Sequence, residues 1–174
     1  MAETWHALHT SVAFASGKSM ADLFNTDGTK IEKVWRCWCF NATTATVTGG
    51  MTNMRIYRLT TGAPTGGSTV TALAHDTNNA ALPAGVTSGT GRTPTRGSAF
   101  RQWYWSTDES ATGAGTIDEL ECLVPNALVW DSGYADSNVQ PITCRQNFGF
   151  ELRQEGTTAV ASTQIDVDFE FTNE

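Results

Sequence analysis

The chain has 174 residues, 40% of them hydrophobic, and a formal net charge of -7. That length suits one domain with a real core, and the composition is not that of a disordered chain. The acidic balance argues against a nucleic-acid partner, which needs a clustered basic surface, and no apolar run approaches the ~20 residues of a membrane span.

The charge is unevenly spread. Residues 1–107 carry nine Lys/Arg against five Asp/Glu, a net of +4, and residues 108–174 carry two Arg against thirteen Asp/Glu, a net of -11. Either strands from the two halves neighbour each other and neutralise locally, or a dipolar surface helps a partner dock. Residues 1–19 lack the basic start and continuous apolar centre of a secretion signal, so export by that route is not expected.

In chain order, Trp5 to Phe14 reads as a first strand, and Met20 to Phe24 as a second segment before the Asp27-Gly28 turn. Lys30 to Phe40 is a longer strand, apolar on both faces toward its end, as for an inner strand or one covered by another subunit. Met54 to Leu59 follows. Thr69 to Leu73 suits a short strand and His75 to Ala81 one helical turn. The Gly/Thr/Ser/Pro-rich stretch from Gly85 to Gly97, charged only at Arg92 and Arg96, reads as a long mobile loop or arm spanning about residues 85–98. Arg92 and Arg96 on such an arm are candidate interface residues, since a guanidinium fork suits carboxylates on a neighbouring subunit.

Phe100 to Trp105 is an aromatic strand. With Phe100 and Tyr104 on one face and Trp103 and Trp105 on the other, one face is expected to meet something beyond its own core, which makes Trp103 and Trp105 further interface candidates. Strands are expected over Thr116 to Val124 and Ala127 to Trp130, with an acidic turn-rich loop from Asp131 to Asn138.

The clearest signal comes last. Phe148, Phe150 and Leu152 alternate with Gly149, Glu151 and Arg153, and Ile165, Val167, Phe169 and Phe171 alternate with Asp166, Asp168 and Glu170. A period of two belongs to half-buried strands and predicts a β-hairpin with a turn of about six to nine residues, Leu152 facing Val167 and Arg153 beside Asp166. Its apolar face needs a second sheet to cover it. The whole is expected to be an all-β, antiparallel two-sheet sandwich, jelly-roll-like, forming one domain over residues 1–174.

Motifs for chemistry are sparse. Ser16-Gly17-Lys18-Ser19 ends like a phosphate-binding loop, but Val12 stands where its first glycine belongs. His6 and His9 fall on opposite faces of a strand and His75 stands alone. Asp118, Glu119 and Glu121, like Asp166, Asp168 and Glu170, read as solvated strand faces before they read as paired catalytic acids. Asp131, Asp136 and Asn138 offer calcium-type oxygens without a defined loop pattern. Cys37, Cys39, Cys122 and Cys144 are expected to be reduced, buried thiols, because the Cys37/Cys39 spacing suits neither a bridge nor a zinc pair. No catalytic, cofactor or metal residues are assigned.

Taken in order, Ser11-Val-Ala-Phe-Ala-Ser-Gly-Lys-Ser, Lys33-Val-Trp-Arg-Cys-Trp-Cys-Phe, Arg55-Ile-Tyr-Arg-Leu-Thr-Thr-Gly with its Gly/Thr loop, and Phe148-Gly-Phe-Glu-Leu to Phe169-Glu-Phe resemble small β-sandwich structural proteins of tailed bacteriophages, of the head-decoration or capsid-cement type. The resemblance covers most of the chain as pattern and order, without a diagnostic motif. It implies a non-enzymatic virion component, made in the host cytoplasm, that binds the major capsid protein on the outer surface of the head. A closed homo-oligomer, a trimer before a dimer, is expected from the two-faced apolar strands. The alternatives are a tail or baseplate component, or a carbohydrate-binding module using a coplanar pair among Trp103, Trp105 and Trp130.

Overall fold

A computed structural model describes residues 3–42, 51–106, 128–133, 139–156 and 164–174. Its strands are β1 (Glu3–Ala13), β2 (Ala21–Asn25), β3 (Glu32–Asn41), β4 (Met51–Thr60), β5 (Ser68–Val70), β6 (Leu73–Ala74), β7 (Val86–Thr90), β8 (Arg96–Ser106), β9 (Leu128–Asp131), β10 (Ile142–Cys144), β11 (Phe148–Gln154) and β12 (Gln164–Asn173). They form two six-stranded sheets. The first runs β10-β3-β12-β1-β6, with β9 also on β3, and the second β5-β7-β2-β11-β4-β8. Every pairing between named strands is antiparallel. The chain keeps changing sheet, β1 to β2 to β3 to β4, as in a jelly roll.

The alternating residues are the core. From the first sheet Trp5, Ala7, Val34, Cys37, Cys39, Ile165, Val167, Phe169 and Phe171 turn inward, and from the second Ala21, Leu23, Met54, Ile56, Phe150 and Leu152. The rings of Phe150 and Phe169 meet across the gap at 4.6 Å, tilted by 57°. Cys37, Cys39 and Cys144 are buried free thiols, and burial pushes the Cys144 thiol up to about 12. Cys122 and the strand expected over Thr116 to Val124 lie outside the described residues.

Three expectations fail instructively. Residues 148–154 and 164–173 are strands with the expected alternation, but they are not a hairpin: β11 pairs with β2 and β4, while β12 pairs with β1 and β3 in the other sheet. Arg153 lies opposite Arg55 rather than Asp166. Alternation reports which face is apolar, and a face buried against a facing sheet looks the same in sequence as one shared with a hairpin partner. The second correction concerns residues 85–98, which are not a loose arm. Val86–Thr90 is β7, an inner strand between β5 and β2, and β8 begins at Arg96. Residues 91–95 are pinned by Ser19 N–H to Arg92 O (3.0 Å), Gly91 N–H to Ser19 O (2.8 Å) and Thr60 N–H to Thr95 O (3.0 Å). Small residues suit this place because Arg92 lies over Gly89, where a Cβ would strike its guanidinium. Residues 75–81 likewise form a turn, with Asn79 N–H donating to Asp76 O, and no helix.

Phe169→Ala should remove about 3–5 kcal/mol of stability, measured by denaturant unfolding, because the cavity opens where the sheets meet. A loss below about 1 kcal/mol would mean that this ring pair does not hold the sheets together.

Candidate functional site: the outer face of the first sheet

Residues that do not face the core on β1, β12, β3 and β9 form the outer face of the first sheet. Register places Leu8, Asp168, Trp38 and Leu128 in one row across four strands. The neighbouring row is Leu73, His6, Glu170, Arg36 and Asp131, and Phe40 lies beside Asp166. Leu73 (69% exposed), Leu8 (54%), Leu128 (43%) and Phe40 (39%) are therefore all on this face, spread around an acidic central strand. Single exposed apolar side chains are ordinary, and four large ones on one sheet face make this face the candidate contact surface among the described residues.

The polar groups among them are organised. His6 Nδ1 lies 2.8 and 2.9 Å from the two carboxylate oxygens of Asp168. The His6 ring stacks on His75 at 4.5 Å and lies 6.0 Å from the Trp38 ring, nearly parallel to both, so His75 is not alone as expected from sequence. Arg36 spans Asp131 (3.6 Å) and Glu170 (3.5 Å). Asp166 accepts the Ser11 N–H at 2.6 Å, at a bulge where Ser11 has a φ of 51°. The three acids of β12 thus line the face of a central strand and hold the sheet's own cross-strand pairs. Asp131 also accepts the Gly133 N–H at 2.8 Å, while Asp136 and Asn138 of the calcium reading lie outside the described residues.

The expected interface residues are elsewhere. Arg92 is 5% exposed and pairs with Asp22 at 3.5 Å, and Arg96 clamps the buried Glu151 and donates to Gly17 O at 2.9 Å. Both arginines close the outer face of the second sheet against the protein's own acids, so neither reaches outward. Trp103 lies opposite Met54 and packs on the core, as does Trp130, so neither offers an exposed sugar platform. The backbone of Trp105 pairs with Thr52, and its side chain lies outside the described residues. Leu8, Leu73 and Leu128 went unnoticed in the sequence. Leu8 carries a signal in retrospect, since it interrupts the polar phase of the His6, Leu8, Thr10 series.

The interior holds titratable groups of its own. His9 sits between the sheets, its Nδ1 3.1 Å from Val167 O and its Nε2 2.9 Å from Ser88 Oγ. Ser88 Oγ is also 2.6 Å from Asp22 O, and its one proton can serve only one of these acceptors at a time. Burial pushes His9 down to about 4, which keeps the ring neutral at physiological pH. His9 and Ser88 are 0% and 3% exposed, so this Ser-His pair lies in the interior and ties β1 to β7. Burial likewise lifts Asp22 to about 7, with Arg92 and Ser19 pulling the other way, and lifts Glu32 to about 8. Among the described residues, neither Glu32 oxygen has a hydrogen-bond partner. Among the described residues no group of three or more His, Cys, Asp or Glu is placed to hold a metal ion.

No protein-family model, curated protein or solved structure matches the chain.

Two stability measurements test this arrangement. Arg92→Ala should cost on the order of 3 kcal/mol by stranding Asp22, and adding Asp22→Asn should recover part of it. A cost below about 1 kcal/mol would instead indicate an independent arm. Glu32 has a folded pKa above its unfolded value, so its contribution to stability is full below about pH 4.5 and is lost as pH rises through about 8. Glu32→Gln should therefore gain on wild type between pH 5 and pH 8, by on the order of 2 kcal/mol in chemical unfolding, and an unchanged difference would refute the buried carboxyl.

Proposed function

We propose that the chain is a non-enzymatic structural protein that assembles through the outer face of its first sheet, as a capsid-decoration protein of a tailed phage. The observation that carries this reading is the gathering of Leu8, Phe40, Leu73 and Leu128 on one sheet face. Its partners are the major capsid protein of the head and further copies of itself, in a closed oligomer with a trimer before a dimer. The order of the Ser11–Ser19, Lys33–Phe40, Arg55–Gly62 and terminal strand segments supports the phage assignment over an assembly protein of other origin. The covered face, rather than Arg92 and Arg96, supplies the grip. An interface of ordinary size, about 800 Å² per partner, is enough to cover it.

Replacing Leu8 and Leu73 by Lys should leave unfolding free energy within about 0.5 kcal/mol per site, because both side chains are exposed and Lys at position 8 faces Asp168. The same variant should sediment as monomer where wild type is oligomeric, and should fail to attach to undecorated heads of the phage that encodes it. A variant that assembles and attaches as well as wild type would overturn the proposal, as would a wild type that does neither.

A further inference from the structure

Away from that face, a cleft of about 320 Å³ opens where β4 nears its end and β10 turns into β11, lined by Arg58, Gln140, Thr143, Arg145 and Phe148. Arg58 and Arg145 have no ion-pair partner among the described residues, unlike Arg36, Arg92, Arg96 and Arg153. In a chain of net charge -7, two uncompensated guanidinium groups in one concavity single out anions.

The walls are held in place before anything binds. The Arg58 guanidinium stands 5.6 Å over the Phe100 ring, and Phe100 meets Trp130 edge-on at 5.7 Å. The turn that carries Arg145 and Phe148 is closed by Phe148 N–H to Arg145 O (3.0 Å) and anchored by Asn147 N–H to Asn25 O (2.7 Å). Asn147 has a φ of 63°, a left-handed conformation that asparagine tolerates better than most residues.

The remaining lining narrows the ligand. Phe148 is 44% exposed and offers an apolar ring. The Gln140 amide offers both donor and acceptor, and Thr143, whose hydroxyl donates to Pro141 O at 3.2 Å, keeps an oxygen free to accept. A bare anion uses only the arginines. A pyranose carrying a carboxylate uses all five side chains: the carboxylate meets guanidinium, the hydroxyls meet amide and hydroxyl, and the C–H face of the ring meets Phe148. The volume is at the small end for ligand sites, about 300–1,000 Å³, and suits one ring rather than a chain. We propose that this cleft binds a single acidic sugar residue of the uronic-acid type, independently of how the protein assembles.

Backbone-amide NMR titration of the full chain with glucuronate, glucose and inorganic phosphate tests this. Glucuronate should shift the amides of Thr143 to Phe148 with a Kd on the order of 1 mM, while glucose leaves them in place and phosphate binds more weakly. Arg145→Gln, at an exposed turn position, should weaken glucuronate by about tenfold, or about 1.4 kcal/mol, without moving the thermal midpoint. Phe148→Ser should weaken glucuronate but leave phosphate unchanged. The proposal is overturned if glucuronate shifts no amide there, if glucose or phosphate binds as tightly, or if Arg145→Gln binds like wild type.

Discussion

The structure depends on the contact between Phe150 and Phe169, which joins the middle of one sheet to the middle of the other. β11 has β2 and β4 as neighbours and β12 has β1 and β3, so each ring is backed on both sides by paired strands. Neither strand can shift by one residue without carrying its whole apolar set to the outer face. Burial of these rings with Phe171, Val167, Leu152 and Ile56 is the main favourable term for folding. The hydrogen-bonded ladders then follow, because every backbone group between the layers needs a partner.

A two-layer sandwich has two outer faces, and this chain treats them differently. Over the second sheet it returns segment 91–95, pinned to Ser19 and Thr60, and buries two acid–arginine pairs, Asp22 with Arg92 and Glu151 with Arg96. Desolvating such charges costs nearly what their attraction returns, so these pairs contribute little net stability but strongly disfavour any packing that would separate them. Over the first sheet no described segment lies across the row from Leu8 to Leu128. Among the described residues, one outer face is closed by the molecule's own charges, and the other presents Leu8, Phe40, Leu73 and Leu128 among its charged rows.

Among the described residues, several ion pairs join the two halves of the chain. Arg36 with Asp131 and Glu170, Lys33 with Glu174, and Arg96 with Glu151 each join the basic first part to the acidic second part. Inside, His9 and the buried acids respond to pH in opposite senses. The folded pKa of His9 is depressed, so its neutral-ring contribution is lost as pH falls from about 6.5 through about 4. Asp22, raised to about 7, instead loses its contribution as pH rises toward that value.

Alternation in the sequence determined which residues of β11 and β12 are core, because a period of two is a property of the pleat and needs no knowledge of partners; β3, apolar on both faces in sequence, gave no such phase. Alternation likewise implied a second sheet, since a strand with one apolar face is unstable alone. What it left undecided is which strand lies beside which: a hairpin and two strands in facing sheets present the same pattern, and only the packed structure chose the second. Residues 85–97 show the complementary limit. Gly, Thr and Ser are what a loose loop contains, yet here they are small because Arg92 lies over Gly89 and the segment is clasped between Ser19 and Thr60. The candidate face was illegible for the same reason, since Leu8, Leu73 and Leu128 are distant in sequence and come onto one sheet face only through register. Local periodicity is written in adjacent residues, whereas adjacency across strands is decided by the free energy of the whole sandwich.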